Sequence, residues 1–164
     1  MTNFIVRGID RQHATAVRTT RRAPNYGHPV HREVASGTGP CRECLRSFTV
    51  GSDDRLLFTY NPFNSVDHLP QPGPVFIHAQ ECVPHTAPGY PEGLTALPIV
   101  AECHRGDSTV LAPSALVRGG EAAELEALLA DAGVRFVHLR HAEAGCFIAR
   151  VDRLASERSA MVKA

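Results

Sequence analysis

Tryptophan is absent, methionine occurs twice, and lysine only once, at Lys163. No apolar run approaches the roughly 18 residues that a membrane-spanning helix needs, so no membrane partner is expected. Neither sign of charge is in excess, with 17 basic and 17 acidic residues. A global field that would draw nucleic acid or a membrane surface is therefore missing, and no nucleic-acid partner is expected. There is no Gly-rich phosphate loop and no internal repeat. Met1–Arg7 carries a short apolar patch rather than the h-region of a secretory leader. Five cysteines make an odd count, which fits a complete disulfide set poorly. Reduced thiols and a cytoplasmic location are the expectation.

Sixteen of the 17 basic residues are arginine. Since Ala, Gly, Pro and Val are also plentiful, a GC-rich genome explains this most simply, and arginine content alone does not signal anion binding. Apolar content of 43% and charged content of 21% over 164 residues describe a chain able to bury one core. Nine histidines are many. His13, His28 and His31 fall in a polar, Arg-rich stretch and read as surface residues.

Three segments follow from the patterning: residues 1–39 as a first strand with a basic arm, 40–154 as a single α+β domain, and 155–164 as a polar tail. Phe4–Ile9 reads as the strand. Arg11–Arg32 has five arginines, no acid until Glu33, and Pro24, Gly27 and Pro29, so it reads as a solvated loop with at most one helical turn. Arg55–Tyr60 and Val75–His78 read as strands, and Pro84–Pro98 as a long surface loop or lid. Ile99–Cys103 and Thr109–Leu111 read as a strand pair. The one clear helix spans about 121–132, where Leu125, Leu128, Leu129 and Ala132 recur at three and four residues before Gly133. Val134–Arg140 and Cys146–Val151 form a C-terminal β-hairpin. Strands outnumber helices, which makes the class α+β with a mostly antiparallel sheet.

On that hairpin, alternation puts Phe136, His138 and Arg140 on one face. If the returning strand turns the same way, His138, Arg140, Cys146 and Arg150 converge on a basic, thiol-bearing concavity. Arginine forks there would hold a carboxylate, and cationic neighbours would lower the thiol pKa. His78 ends an apolar strand just before a turn, a rigid place from which to reach a pocket as a general base. Cys41-x-x-Cys44 has the spacing of half a zinc site or of a redox pair. A second ligand pair must come from His78, Cys82, His85, Cys103 and His104. Cys41, Cys44, Cys82 and His85 are the expected metal set.

Cys41-Arg42-x-Cys44-Leu45, Gly73-Pro74-Val75-Phe76-Ile77-His78, and His138-x-Arg140 with Gly145-Cys146-Phe147 and Arg150 occur in this order. Together they resemble the bacterial domain-of-unknown-function family 1203, from about Pro40 to Arg153. The resemblance implies one α+β domain in a bacterial cytoplasm and attaches no reaction. It puts recurrent family positions at Cys41, Arg42, Gly73, Pro74, His78, His138, Arg140, Gly145, Cys146 and Phe147. Relatives often carry Asn where this chain has His141, which makes His141 particular to this protein. Cys44 is often serine-like in relatives, which counts against a family-wide CxxC zinc site.

The leading expectation is a small-molecule enzyme acting on an anionic substrate, a tailoring step in biosynthesis being one setting. Its catalytic groups would be His78, His138, Cys146 and Cys41. Its substrate-binding groups would be Arg42, Arg140, Arg150 and His141. A zinc- or iron-binding module and a non-catalytic domain for an acidic ligand are the alternatives. A homodimer is compatible with all three.

Overall fold

The computed structural model describes residues 2–63, 72–107 and 109–155. In chain order the elements are β1 (Phe4–Arg7), α1 (Arg11–Thr20), β2 (His31–Val34), β3 (Asp54–Tyr60), β4 (Gly73–His78), a 3-10 turn (Glu92–Leu94), β5 (Ile99–Arg105), β6 (Ser114–Ala115), α2 (Glu121–Ala130), β7 (Val134–His141) and β8 (Phe147–Arg153). Two antiparallel sheets result, ordered β1-β8-β7-β5-β6 and β2-β3-β4. The class is α+β, as expected. No helix among the described residues is long and apolar enough to cross a membrane. The polar tail from 156 and the proline-rich turn over 69–71 lie outside the described residues.

The basic stretch corrects the expectation of a loop, because ten of its residues form α1. Asp10 caps the helix by accepting from the His13 backbone N–H at 2.9 Å, the arrangement that satisfies an orphan donor at a helix start. Ala14 and Val17 are buried beneath it. Only those two apolar residues hold the helix down, so its periodicity is faint beside the arginines. Arg21 ends it in the left-handed region, with φ of 54° and its N–H returned to the Val17 carbonyl. The N-terminal residues are built into the fold: β1 pairs with β8 from Phe4↔Arg153 to Arg7↔Arg150.

Helix α2 spans the expected segment, with Glu121 and Glu124 in its first turn, where carboxylates suit the helix dipole. It stops at Asp131, whose backbone turns extended. Arg153 caps its far end, donating to the Leu129 and Asp131 carbonyls at 2.5 to 2.8 Å. Beneath α2, Leu125 and Leu129 pack with Phe4, Ala101, Val137, Leu139, Ile148 and Val151. A second apolar cluster joins Ala14 and Val17 of α1 to Cys41, Cys44, Leu56, Phe58, Val75, Ile77 and Phe147. Val110 bridges to His104, and β6 extends the same sheet by pairing with Val100 and Ala101.

Candidate metal centre

Cys41 and Cys44 lie on a tight turn fastened on every side. The Leu45 N–H returns to the Cys41 carbonyl at 2.8 Å and the Cys41 N–H to the Arg46 carbonyl at 2.9 Å, closing the loop. Leu45 takes a left-handed φ of 60° to do so. The Arg42 N–H binds the Phe76 carbonyl of β4 at 2.9 Å, and the Arg42 carbonyl accepts from Ile9 at 2.6 Å. These bonds set the turn beside the end of β4, where His78 sits opposite Arg55 of β3. The chain then turns and brings Cys82 back to the same place.

One donor atom from each of Cys41, Cys44, His78 and Cys82 lies within 4.8 Å of all the others. A Cys3His group at metal-binding distances is therefore present. The Cys41 and Cys82 sulfurs are 3.8 Å apart, and the Cys44 sulfur is 3.6 Å from His78 Nδ1. A tetrahedron with metal–sulfur bonds of about 2.3 Å and a metal–nitrogen bond of about 2.05 Å has edges of about 3.8 Å and about 3.6 Å. Those two separations are the ones a tetrahedral ion requires. All five cysteines are free thiols.

The surroundings orient these donors. His78 offers Nδ1 to the group, while its Nε2 faces the Asp53 carboxylate at 3.4 Å, the carboxylate–histidine relation that fixes ring orientation at metal sites. The His78 backbone N–H points at the Cys41 sulfur at 3.4 Å. Arg18 of α1 reaches the Cys82 sulfur at 3.6 Å and the Glu43 carboxylate at 2.5 Å. Cys82 donates to that carboxylate at 3.2 Å. His78 and Cys82 also line an open cleft of about 440 Å³ with Asp53, Thr49 and Gln80.

The pKa values of Cys44, Cys82 and His78 are pushed in different directions. Hydrogen bonds from Cys41 and Cys82 push the Cys44 thiol far down, and bonding to Cys41 and Cys44 pushes Cys82 up. His78 is raised to about 10 by its bonds to Cys41 and Cys44. A metal ion binding to such donors displaces their protons.

His85 does not join the group. Its N–H bonds the Glu43 carbonyl at 3.4 Å, and it lines a separate cavity of about 320 Å³ with Ile5, Ile9 and Pro84. His78 stands where His85 was expected, because the Arg42 N–H bond to the Phe76 carbonyl sets the cysteine turn beside the end of β4 and the chain then returns Cys82 there. Cys103 is buried in the apolar cluster beneath α2.

The remaining sequence-selected residues divide between other places. Arg42 is buried with its guanidinium spent on the Phe147 and Pro40 carbonyls, both at 2.6 Å, and on the Cys146 sulfur at 3.2 Å. It thereby ties the cysteine turn to the hairpin. Cys146 precedes β8 and its sulfur accepts from Arg42. Arg150 is exposed, bound to Asp152 and stacked 3.9 Å over the Phe136 ring. His141 Nδ1 accepts from the Glu143 and Ala144 N–H groups, capping the hairpin turn. Of the four residues expected to converge on the hairpin, Arg150 pairs directly across from His138 and its charge reaches it, Cys146 bonds Arg42 instead, and His138 and Arg140 are the buried pair.

Those two belong to a second buried polar group that sequence reasoning missed in part. Glu102 and His104 share one face of β5, and His138 of β7 lies directly across from Glu102. The sequence offers Cys103 and His104 as ligand candidates, whereas the period of two in a strand puts His104 on one face with Glu102. His104 Nε2 is 2.9 Å from Glu102 Oε1, and Arg140 Nε is 3.4 Å from the same oxygen. The bond with His104 and the charge of Arg140 hold the Glu102 carboxyl below its ordinary range. Burial, with the charges of His104, Arg140 and Arg150, lowers His138 to about 2. His138 Nδ1 and Arg140 Nη2 have no hydrogen-bond partner among the described residues, a condition that costs roughly 1–3 kcal/mol per neutral group.

A family model described as protein of unknown function (DUF1203) matches residues 38–153. No curated protein and no solved structure matches the chain.

Proposed function

The chain belongs to the DUF1203 family, whose description names no reaction, and on that premise we propose that it is a zinc-binding domain. Cys41, Cys44, His78 and Cys82 are the ligands. The carrying observation is the pair of tetrahedral edges, 3.8 Å between two sulfurs and 3.6 Å from sulfur to imidazole nitrogen. Three thiolates suit a borderline-soft ion, and a full set of four protein ligands is the pattern of structural rather than catalytic zinc. The ion joins three segments that no strand pairing joins: the 41–44 turn, the end of β4 and the Cys82 loop. A single His/Cys/Arg catalytic site has less support, because the Arg42 guanidinium is fully engaged and His78 and His138 belong to different groups.

Metal analysis of the purified full chain tests the reading, run beside a thiol count under native conditions. About one equivalent of zinc per chain is expected, and a chelator should raise the number of reacting thiols by three. A metal-free protein in which Cys41, Cys44 and Cys82 react at once, with or without chelator, overturns it.

A further inference from the structure

Glu102, His104 and His138 sit at 6%, 3% and 1% exposure on the face of the five-stranded sheet away from α2. One donor atom from each lies within 4.8 Å of the other two. The 2.9 Å between His104 Nε2 and Glu102 Oε1 is close to the cis edge of an octahedral site, about 3.0 Å for bonds of about 2.1 Å. Phe63, Phe136 and Phe147 wall the group, their ring centroids 4.8 to 5.1 Å from that of His138. Phe136 also stacks on His104 at 4.7 Å. Such a shell keeps water out and strengthens charge interactions inside.

Two features of this group go unexplained by packing. Both His138 Nδ1 and Arg140 Nη2 are buried without a partner among the described residues, and orphaned buried polar atoms call for an account. Two imidazoles and a carboxylate, moreover, are the donor set that holds a first-row ion by one face and leaves other positions open.

We propose that Glu102, His104 and His138 form a second metal site for a divalent first-row transition ion, with Arg140 holding a small carboxylate ligand beside it. Arg140 balances the charge of Glu102, so an added divalent cation leaves a surplus of two positive charges in an aromatic-walled site. A carboxylate reduces that surplus and gives Arg140 Nη2, which has no partner among the described residues, a charge-assisted bond. The ion bridges β5 and β7 across their pairing. This site shares no residue with the Cys3His group, so either assignment stands or falls without the other.

Cobalt(II) distinguishes them, since only the Cys3His group yields thiolate-to-cobalt charge-transfer absorption. The full chain, zinc-loaded as purified, is titrated with cobalt(II) without oxygen, and bound metal is counted. We expect one further equivalent, with weak ligand-field bands and no added charge transfer. No further equivalent, or one that brings only thiolate bands, overturns the second site. If the Cys3His reading itself fails, no zinc is counted in the chain as purified and no thiolate bands develop with cobalt, and the weak bands of the second site still report on it. Glu102→Gln and His138→Gln should each weaken the second equivalent at least tenfold while the first metal stays. A variant that keeps full affinity overturns the assignment, and should both misfold, the titration of the unsubstituted chain decides. Acetate should shift the weak bands of the unsubstituted chain and not those of Arg140→Gln. The absence of any acetate shift in the unsubstituted chain overturns the carboxylate part.

Discussion

Glu43 lies inside the cysteine turn with its side chain wholly buried, and Arg18 is the cation that makes that burial tolerable. A buried carboxylate left without its partner costs about 3–5 kcal/mol. Arg18→Ala should therefore lower unfolding stability by about that much in a urea titration, and Arg18→Ala with Glu43→Gln should recover part of the loss. If Arg18→Ala alone is neutral, the ion pair does not hold α1 to the cysteine turn. His13 sets a second expectation at this scale. Its ring packs on Phe58 and Tyr60, and burial lowers its pKa while the charge of Asp10 works against that shift. Below the unfolded value of about 6.5, the unfolded chain binds a proton that the folded chain refuses. Stability therefore falls as pH drops through that range, and His13 adds no slope above it. His13→Leu should flatten the fall between about pH 7 and about pH 5. An unchanged slope would assign the fall to other groups, the thiolate and imidazole ligands first among them.

At the scale of elements, two glycines explain how the turn is held. A β-carbon on Gly8 would meet the Arg42 carbonyl, and one on Gly93 the Leu45 carbonyl, both far inside van der Waals contact with backbone. The β1–α1 connection and the 3-10 turn thus press on the 41–45 segment from two directions. Gly8→Ala or Gly93→Ala should cost about 1–3 kcal/mol, as overpacking does, and should weaken zinc binding too, since the obstructed atoms are backbone of the ligand turn. Stability loss with unchanged zinc affinity would mean that the turn is set by its own hydrogen bonds. Much at this scale is legible in the sequence. The Leu125 periodicity announces α2, the Cys41-x-x-Cys44 spacing announces a ligand pair, and alternation along β7 puts His138 and Arg140 on one face. Helix α1 is not legible in the same way, because Ala14 and Val17 are its only buried residues and its one strong signal is the cap at Asp10. The choice between His78 and His85 rests on where Cys82 returns, and no spacing rule fixes that. Glu102 becomes visible only once β5 is known to pair with β7 in the register Glu102↔His138.

For the whole molecule, the two apolar clusters divide the chain unequally with respect to the Cys3His group. One fills the space between α2 and the five-stranded sheet. The other lies under α1 and β2-β3-β4 and contains Cys41 and Cys44 themselves. If zinc fastens the turn to β4, its binding free energy is folding free energy for the second cluster above all. The first cluster keeps its strand pairings and its helix without it. Chelation should therefore act locally before it acts globally. In native-state hydrogen exchange, the amides of Leu56, Phe58, Val75 and Ile77 should lose protection on metal removal, while those of Val137, Leu139, Ala149 and Val151 stay slow. The boundary should fall at Phe147, which packs in the second cluster although its strand belongs to the larger sheet and its carbonyl accepts from Arg42. A uniform loss of protection across both sets would instead make the Arg42 bridge strong enough to bind the clusters into one cooperative unit. In that case Arg42→Ala should uncouple them and restore the local pattern.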